Sequence, residues 1–283
     1  MKLTVITPCF NAEALIDRTV ASVIGAASRA SSSIRVEYIL CDGGSRDATV
    51  ARAKALMDAR RPSNLEFRVL TEPDQGMYDA LSKGLVLADG DLCAYINAGD
   101  FYSSSAFEII AEVFSDQRIK WLTGLQVEYN DMGHLNSARL PYRFRRRLIQ
   151  RGCYDGITLP YLQQESTFWR AELNQTIDLK KLREFRLAGD YYLWTCFSQL
   201  AEPMVVEAWL GGFAFHKGQK SEDRSGYMAE LRSVVLSCDF LSRLRAVVDR
   251  FIWSLPRAYK WRLGEGWLLV FDREVGCYRA IRG

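Results

Sequence analysis

Long apolar runs, histidines and paired cysteines are scarce in this chain of 283 residues, and each shortage excludes something. No stretch of about 18 apolar residues occurs, so no membrane-spanning helix is expected. The opening Met1-Lys2-Leu3-Thr4-Val5-Ile6-Thr7-Pro8 has a short apolar run broken by Pro8, and no signal peptide is expected there. His134 and His216 are the only histidines, which rules out a histidine-based metal cluster. The seven cysteines form no CxxC pair, which argues against zinc; Cys41 and Cys93 sit in apolar runs and read as reduced, buried thiols of a cytosolic protein. No GxGxxG follows the first strand signal, which excludes a nicotinamide-dependent oxidoreductase. A large excess of one charge is missing too. The 37 Lys+Arg and 34 Asp+Glu leave a net charge of +3, so no nucleic-acid partner is expected.

What is present is ordinary globular material: 48 % hydrophobic and 25 % charged residues, in a length that suits one large domain with an appendage. The positive charge is local. Residues 240–283 hold nine Arg/Lys against four acids, and Arg139, Arg143, Arg145, Arg146, Arg147 and Arg151 follow one another with no acid between them. Such local charge points to an anionic partner surface.

The first hundred residues alternate strand and helix signals. Strands are expected at Leu3–Pro8, Val36–Cys41, Phe67–Leu70 and Leu92–Ile96. Helices are expected at Glu13–Ile24, Asp47–Arg60, Met77–Ala88 and Ser103–Phe114. This predicts an α/β fold, a Rossmann-like and mostly parallel sheet flanked by helices. Further on, Lys120–Tyr129 reads as a strand, 130–160 as a loop over a site, and Met204–His216 as a strand pair. The second half of Glu184–Leu200 and residues 224–239 read as helix. The cleanest helical period falls at 240–255, where Phe240, Leu244, Val247, Val248, Phe251, Ile252 and Leu255 share one face before Pro256. The expected organisation is a catalytic domain at 1–223 and a helical, basic, Trp-bearing extension at 224–283.

In an open parallel sheet, ligands bind beyond the carboxyl ends of the strands. Here those ends read Pro8-Cys9-Phe10-Asn11, Asp42-Gly43-Gly44-Ser45-Arg46-Asp47, Glu72-Pro73-Asp74-Gln75-Gly76-Met77-Tyr78-Asp79 and Asn97-Ala98-Gly99-Asp100. Four polar ends in register would line one crevice. In their order and spacing these segments resemble glycosyltransferase family 2, over roughly residues 2–220. The run Asp74-Gln75-Gly76-Met77-Tyr78-Asp79-Ala80-Leu81-Ser82-Lys83-Gly84 is similar to the subgroup that builds bacterial surface polysaccharides.

The resemblance implies a GT-A fold and an inverting hexosyl- or glycosyltransferase. Its donor would be a nucleoside-diphosphate sugar, UDP first among the nucleotides, and its acceptor a hydroxyl of a lipid-linked or oligosaccharide chain. Pro8, Phe10 and Asn11 would meet the nucleobase, Asp42 the base or ribose, and Gly43 would let the backbone approach. Asp74, Gly76 and Tyr78 would complete the donor site. Asn97-Ala98-Gly99-Asp100 takes the place of the family's Asp-x-Asp motif, which holds Mg²⁺ or Mn²⁺ against the diphosphate. One acid is replaced and the spacing is longer, so Asp100 becomes the metal ligand and Asn97 a neutral contact. Asp190, in Leu187-Ala188-Gly189-Asp190, would be the general base, with Glu165 a rival base or an orienting group. His216 and Lys220 would contact phosphate oxygens.

Each assignment has a plainer counterpart: Asp42 in a bare turn, Asp100 or Asp190 as a helix cap, Glu165 on a surface strand, 216–221 as an exposed basic loop. Two other readings of the whole chain stay open. One is a degenerate transferase that binds nucleotide and scaffolds an assembly, supported by the altered Asn97–Asp100 motif. The other is a sugar nucleotidyltransferase, which would need a Gly-rich basic phosphate loop after strand one. The helix at 240–255, with the Trp, Arg and Lys residues after it, suits an interfacial anchor on the cytoplasmic face of the cell membrane. A core helix and a dimer interface are its alternatives. The Arg139–Arg151 cluster would meet lipid phosphate on the same side.

Overall fold

A computed structural model describes residues 1–30, 32–215, 219, 222–264 and 266–281. Its centre is β1 (Lys2–Cys9), in which Leu3, Val5 and Ile6 are fully buried. A strand covered on both faces carries no polar alternation, so its threonines need partners. Thr4 Oγ1 donates to Glu37 at 2.8 Å, and the Tyr38 hydroxyl donates to Thr7 Oγ1 at 3.1 Å. β2 (Arg35–Asp42) and β4 (Leu92–Tyr95) flank β1 in parallel, and β3 (Leu65–Thr71) continues the sheet beyond β2. Helices α1 (Ile16–Arg29), α2 (Thr49–Arg60) and α3 (Met77–Leu87) connect them. α1 buries Ile16, Val20, Val23, Ile24 and Ala27, the spacing of one helical face.

Beyond β4 the sheet takes in β9 (Thr167–Arg170), β6 (Trp121–Thr123), β10 (Met204–Val206), β12 (Leu268–Asp272) and β13 (Cys277–Ala280). The order is β13-β12-β10-β6-β9-β4-β1-β2-β3. β9 runs antiparallel to both neighbours, and so does β13 to β12; the remaining pairs are parallel. A smaller sheet is ordered β5 (Phe101–Tyr102), β11 (Gly211–Ala214), β7 (Gln126–Tyr129) and β8 (Leu135–Arg139). The fold is therefore the expected α/β architecture with a mostly parallel sheet. The helical region is α8 (Arg224–Val234), α9 (Phe240–Ser254) and α10 (Arg257–Leu263). The two strands that follow it were not foreseen, and β12 pairs with β10 inside the main sheet.

Three local expectations are corrected. The stretch 130–160 is not a loop lying free over a site: it contains β8 and α5 (Arg146–Gln150), and Leu140, Tyr142, Phe144, Leu148, Ile149 and Tyr154 are buried. Its arginines and glycines hid the aromatic residues that anchor it. Lys120–Tyr129 is two strands in different sheets, as is Met204–His216 in its described part, because the chain crosses between sheets at Gly124–Leu125 and at 207–210. The arginine cluster is not a free anionic-lipid patch. Arg143 pairs with Glu202 at 2.6 Å, Arg145 with Asp249 at 2.7 Å, and Arg147 and Arg151 with Asp239 at 2.8 and 3.0 Å. The neutralising acids come from remote sequence, which is why the local run read as unpaired.

Candidate active site

The registers Cys9–Asp42 and Asp42–Thr71 place the carboxyl ends of β1, β2 and β3 side by side. β4 pairs Tyr95 with Ile6, and the chain continues to Asn97–Asp100 along the same edge. All four loops singled out by sequence leave this edge together.

The first two loops are stitched to each other. Asn11 N–H donates to Ser45 Oγ at 2.8 Å, and Arg46 N–H donates back to Asn11 Oδ1 at 2.9 Å. Asn11 takes a positive φ of 48°, a region that asparagine tolerates. Ala12 N–H donates to Thr49 Oγ1, and Glu13 N–H to Asp47. Pro8 is buried, whereas Phe10 is 58 % exposed, a free aromatic face beside the crevice. Asp42 is buried, and its carboxylate accepts the Ser45 N–H at 3.1 Å and the Gly44 N–H at 3.3 Å. The turn thus holds Asp42 in place. Gly43 has no room for a side chain, because a Cβ there would run into the Asp74 carboxylate. Asp74 in turn accepts the Gly76 N–H at 2.9 Å at the start of α3.

The second group is acidic. Asp100 is buried, and its Oδ1 accepts the Ala214 N–H of β11 at 2.9 Å, so it does not cap α4 (Ala106–Val113). Thr19 of α1 ties the loop down, accepting from Gly99 N–H and donating to the Asp100 carbonyl. Arg18 Nε donates to the Gly99 carbonyl at 3.0 Å. Burial pushes the Asp100 carboxyl up to about 7 against the Ala214 N–H and the Arg18 charge, which pull it down. Glu165 lies in the single 3₁₀ turn Gln164–Ser166 before β9 and is buried, not on a surface strand. Burial first, then the charges of Asp100 and Asp190, push it well above the usual carboxylate range.

Asp190 sits in the first turn of α7 (Gly189–Phe197), which follows the short α6 (Leu179–Leu182), and keeps a partly exposed surface. Burial of its carboxyl, helped by the negative Glu230, raises it to about 7, while the N–H groups of the helix start oppose the rise. Tyr78 fixes the entry to this helix. Its hydroxyl donates to the Leu187 carbonyl at 3.1 Å, and its ring lies where a Cβ of residue 189 would be, so only glycine fits there. Glu230 of α8 accepts the N–H groups of Arg186, Leu187 and Ala188 at 2.8–3.2 Å. Sequence reasoning missed Arg18 and Glu230. Neither carries a motif; each is recognisable only from the backbone that it holds.

Asn97 provides the test for a divalent ion. Its Nδ2 donates to Gln164 Oε1 at 3.3 Å, while its buried Oδ1 has no hydrogen-bond partner. That orphaned oxygen and the Asp100 carboxylate are hard oxygen donors of the kind that Mg²⁺ and Mn²⁺ take. No group of three or more His, Cys, Asp or Glu able to hold a metal occurs among the described residues. An ion that draws most of its shell from phosphates and water needs only one or two protein oxygens, so the residues fit. His216 and Lys220 lie outside the described residues. A cavity of about 610 Å³ between α8 and the Arg151–Asp155 segment takes in none of these groups. The closest grouping of predicted residues is Glu165 with Asp100 and Asp190, whose charges act on it.

The sheet order, with four polar loops at one edge, is that of a GT-A fold. The chain matches glycosyl transferase family 2 over residues 4–176 and belongs to that family. Two curated relatives, both named as uncharacterized glycosyltransferases of Mycobacterium tuberculosis, are 36 % identical over 101 residues. That match covers 36 % of this chain, and the chain spans about a third (35 %) of the relatives' length. Among solved structures, S. aureus TarS in complex with UDP-GlcNAc superposes with a TM-score of 0.57 at 17 % identity, covering 93 % of this chain and 70 % of that one. Glucosyl-3-phosphoglycerate synthase from M. tuberculosis, in complex with Mn²⁺, UDP and phosphoglyceric acid, gives 0.50 at 17 % identity, covering 86 % and 78 %. At these identities the two structures speak for the fold.

Proposed function

We propose that the protein is an inverting glycosyltransferase that moves a sugar, a hexose in the simplest case, from a UDP-sugar to a hydroxyl of a lipid-linked or oligosaccharide acceptor in surface-polysaccharide assembly. It would work at the cytoplasmic face of the membrane. The observation that carries the reading is the position of Asp190: a carboxyl raised to about 7, in the first turn of α7, near enough to Glu165 for its charge to raise that acid. A base poised near neutrality takes a proton from an attacking hydroxyl more effectively than an ordinary carboxylate does.

In this reading Phe10 stacks on the base, with Pro8 and Asn11 shaping the loop. Asp42 and Gly43 meet the ribose and base side, and Asp74 and Gly76 hold the neighbouring turn. Tyr78 positions α7. Asp100 and Asn97 would hold a divalent ion, which when bound neutralises charge on the leaving diphosphate. Glu165 is better placed to orient the sugar than to act as base, since it is more deeply enclosed than Asp190 and raised further by two neighbouring acids. His216 and Lys220 are assigned to phosphate by sequence alone. A catalytic unit at 1–223 with an extension at 224–283 remains part of this proposal, with the extension lending Glu230 to the entry of α7 and β12 and β13 to the main sheet.

A thermal-shift panel of UDP-, GDP- and dTDP-sugars with and without Mn²⁺ tests the donor, because selective binding raises the melting temperature by mass action. A shift with UDP-sugars that Mn²⁺ enlarges is the expected result. Full transfer activity in Asp190→Asn would overturn the base assignment. Donor binding without any transfer or hydrolysis would favour the scaffolding alternative.

A further inference from the structure

α9 is an amphipathic helix mounted with its polar side inward. It buries Ser242, Ala246, Asp249 and Trp253, while Phe240, Val247 and Phe251 are 77, 67 and 66 % exposed, and Leu241, Leu244 and Val248 are exposed beside them. The inward face is fixed by charge. Asp249 has no exposed surface and pairs with Arg145 at 2.7 Å and Arg245 at 3.1 Å; Arg147 Nε donates to Ser242 Oγ at 3.2 Å. Trp253 packs edge-on against Phe144 at 5.3 Å between ring centres. A core role for the apolar stripe, one of the options left by the sequence, is therefore excluded. The tryptophans also turn inward or sideways: Trp253 and Trp267 are buried, and Trp261 Nε1 donates to Glu207.

At about 100° per residue, Arg243 and Arg250 border one side of the stripe and Arg245 the other. α10 adds exposed Arg257, Tyr259, Arg262 and Leu263. Over 240–264 the single acid is Asp249, which is fully covered. Arg257 pairs with Glu207 and Arg250 donates to the Thr158 carbonyl at 3.2 Å, so the cationic border of the apolar stripe rests chiefly on Arg243 and Arg262. We infer that this face of α9 docks on an anionic lipid bilayer, with Phe240, Leu244, Val247 and Phe251 entering the acyl boundary and the arginines meeting headgroup phosphates. A second copy fits less well, since a two-fold interface would set arginine borders against each other. The assignment deepens the reading of a membrane-linked acceptor and rests on it only for the acceptor.

The test is co-sedimentation of the full chain with vesicles of phosphatidylcholine alone and with one third phosphatidylglycerol. Binding is expected to the anionic vesicles only, to weaken with salt, and to fall at least about tenfold in a protein carrying Phe240→Ser, Leu244→Ser, Val247→Ser and Phe251→Ser. Phe240→Leu with Phe251→Leu should retain it. Because these side chains are exposed, the melting temperature and its response to UDP should be unchanged in the serine protein. That separates loss of docking from failure of the glycosyltransferase reading. Undiminished binding by the serine protein, or none by the wild type, overturns the inference. A wild-type mass of two copies that the serine substitutions halve, without vesicle binding, replaces the bilayer with a second copy.

Discussion

Two acidic regions share the carboxyl edge of this sheet and behave differently. Around the end of β2, Asp42 accepts two N–H groups of its own turn, so its charge is satisfied locally. Around β4, the turn before β9 and the start of α7, Asp100, Glu165 and Asp190 are all pushed upward by burial, and the charges of Asp100 and Asp190 raise Glu165 further. The carboxylate thus serves as a turn anchor in one place, while in the other burial raises the carboxyls above their usual range. Asp42 is as buried as Asp100 and Glu165, so the difference lies in the N–H groups that its own turn supplies.

The sharpest way to break that contrast is to neutralise one member of each region. Asp190→Asn should lower the transfer rate by about 10²–10⁴-fold while UDP-sugar affinity holds. In the wild type the rate should climb as pH rises through about 7, where Asp190 loses its proton. A flat profile between these limits, measured under saturating donor, would remove Asp190 from the role. The same substitution should stabilise the fold at high pH. Asp190 is raised in the folded chain above its unfolded value near 3.9, so its contribution is present at low pH and is lost as pH climbs through about 7. Asp190→Asn should therefore gain on the order of 2–4 kcal/mol at pH 8 and nothing at pH 4, read from denaturant midpoints.

Asp42→Ala should act in the opposite sense, costing about 1–3 kcal/mol of stability by stranding the turn N–H groups and weakening donor binding. If it proves stabilising instead, the anchor description fails. The smallest effect is expected from Tyr78→Phe, which strands the Leu187 carbonyl at a cost of about 1 kcal/mol and loosens α7. Its signature is a reduced kcat with an unchanged KM for donor; a change confined to KM would place Tyr78 on the nucleotide instead.

Much of the first region was legible because local sequence writes it. Strand β1 is expected at 3–8 and found at Lys2–Cys9, and Asp42, Gly43 and Asp74 lie in the turns read from their own motifs. The helix-start position of Asp190 was also legible from its segment, on a helix that begins one residue earlier. What was not legible depends on remote partners. The raised Glu165 owes its state to Asp100 and Asp190, and the entry to α7 owes its shape to Glu230. Periodicity found α9 but not its orientation, because an ion pair from Arg145, about a hundred positions earlier, turns Asp249 inward and the phenylalanines outward. β12 was missed because no turn or motif announces that it returns to β10.

That return gives α9 a particular mechanical character. α8, α9 and α10 lie on the chain between β10 and β12, two strands that are direct neighbours in the sheet. The helix is therefore tied to that frame by β12 after it and by the Asp249–Arg145 pair along it, not trailed on a leash. Whatever it lands on inherits a set tilt with respect to the catalytic crevice, and an acceptor approaching from that surface would meet Asp190 at a predetermined height.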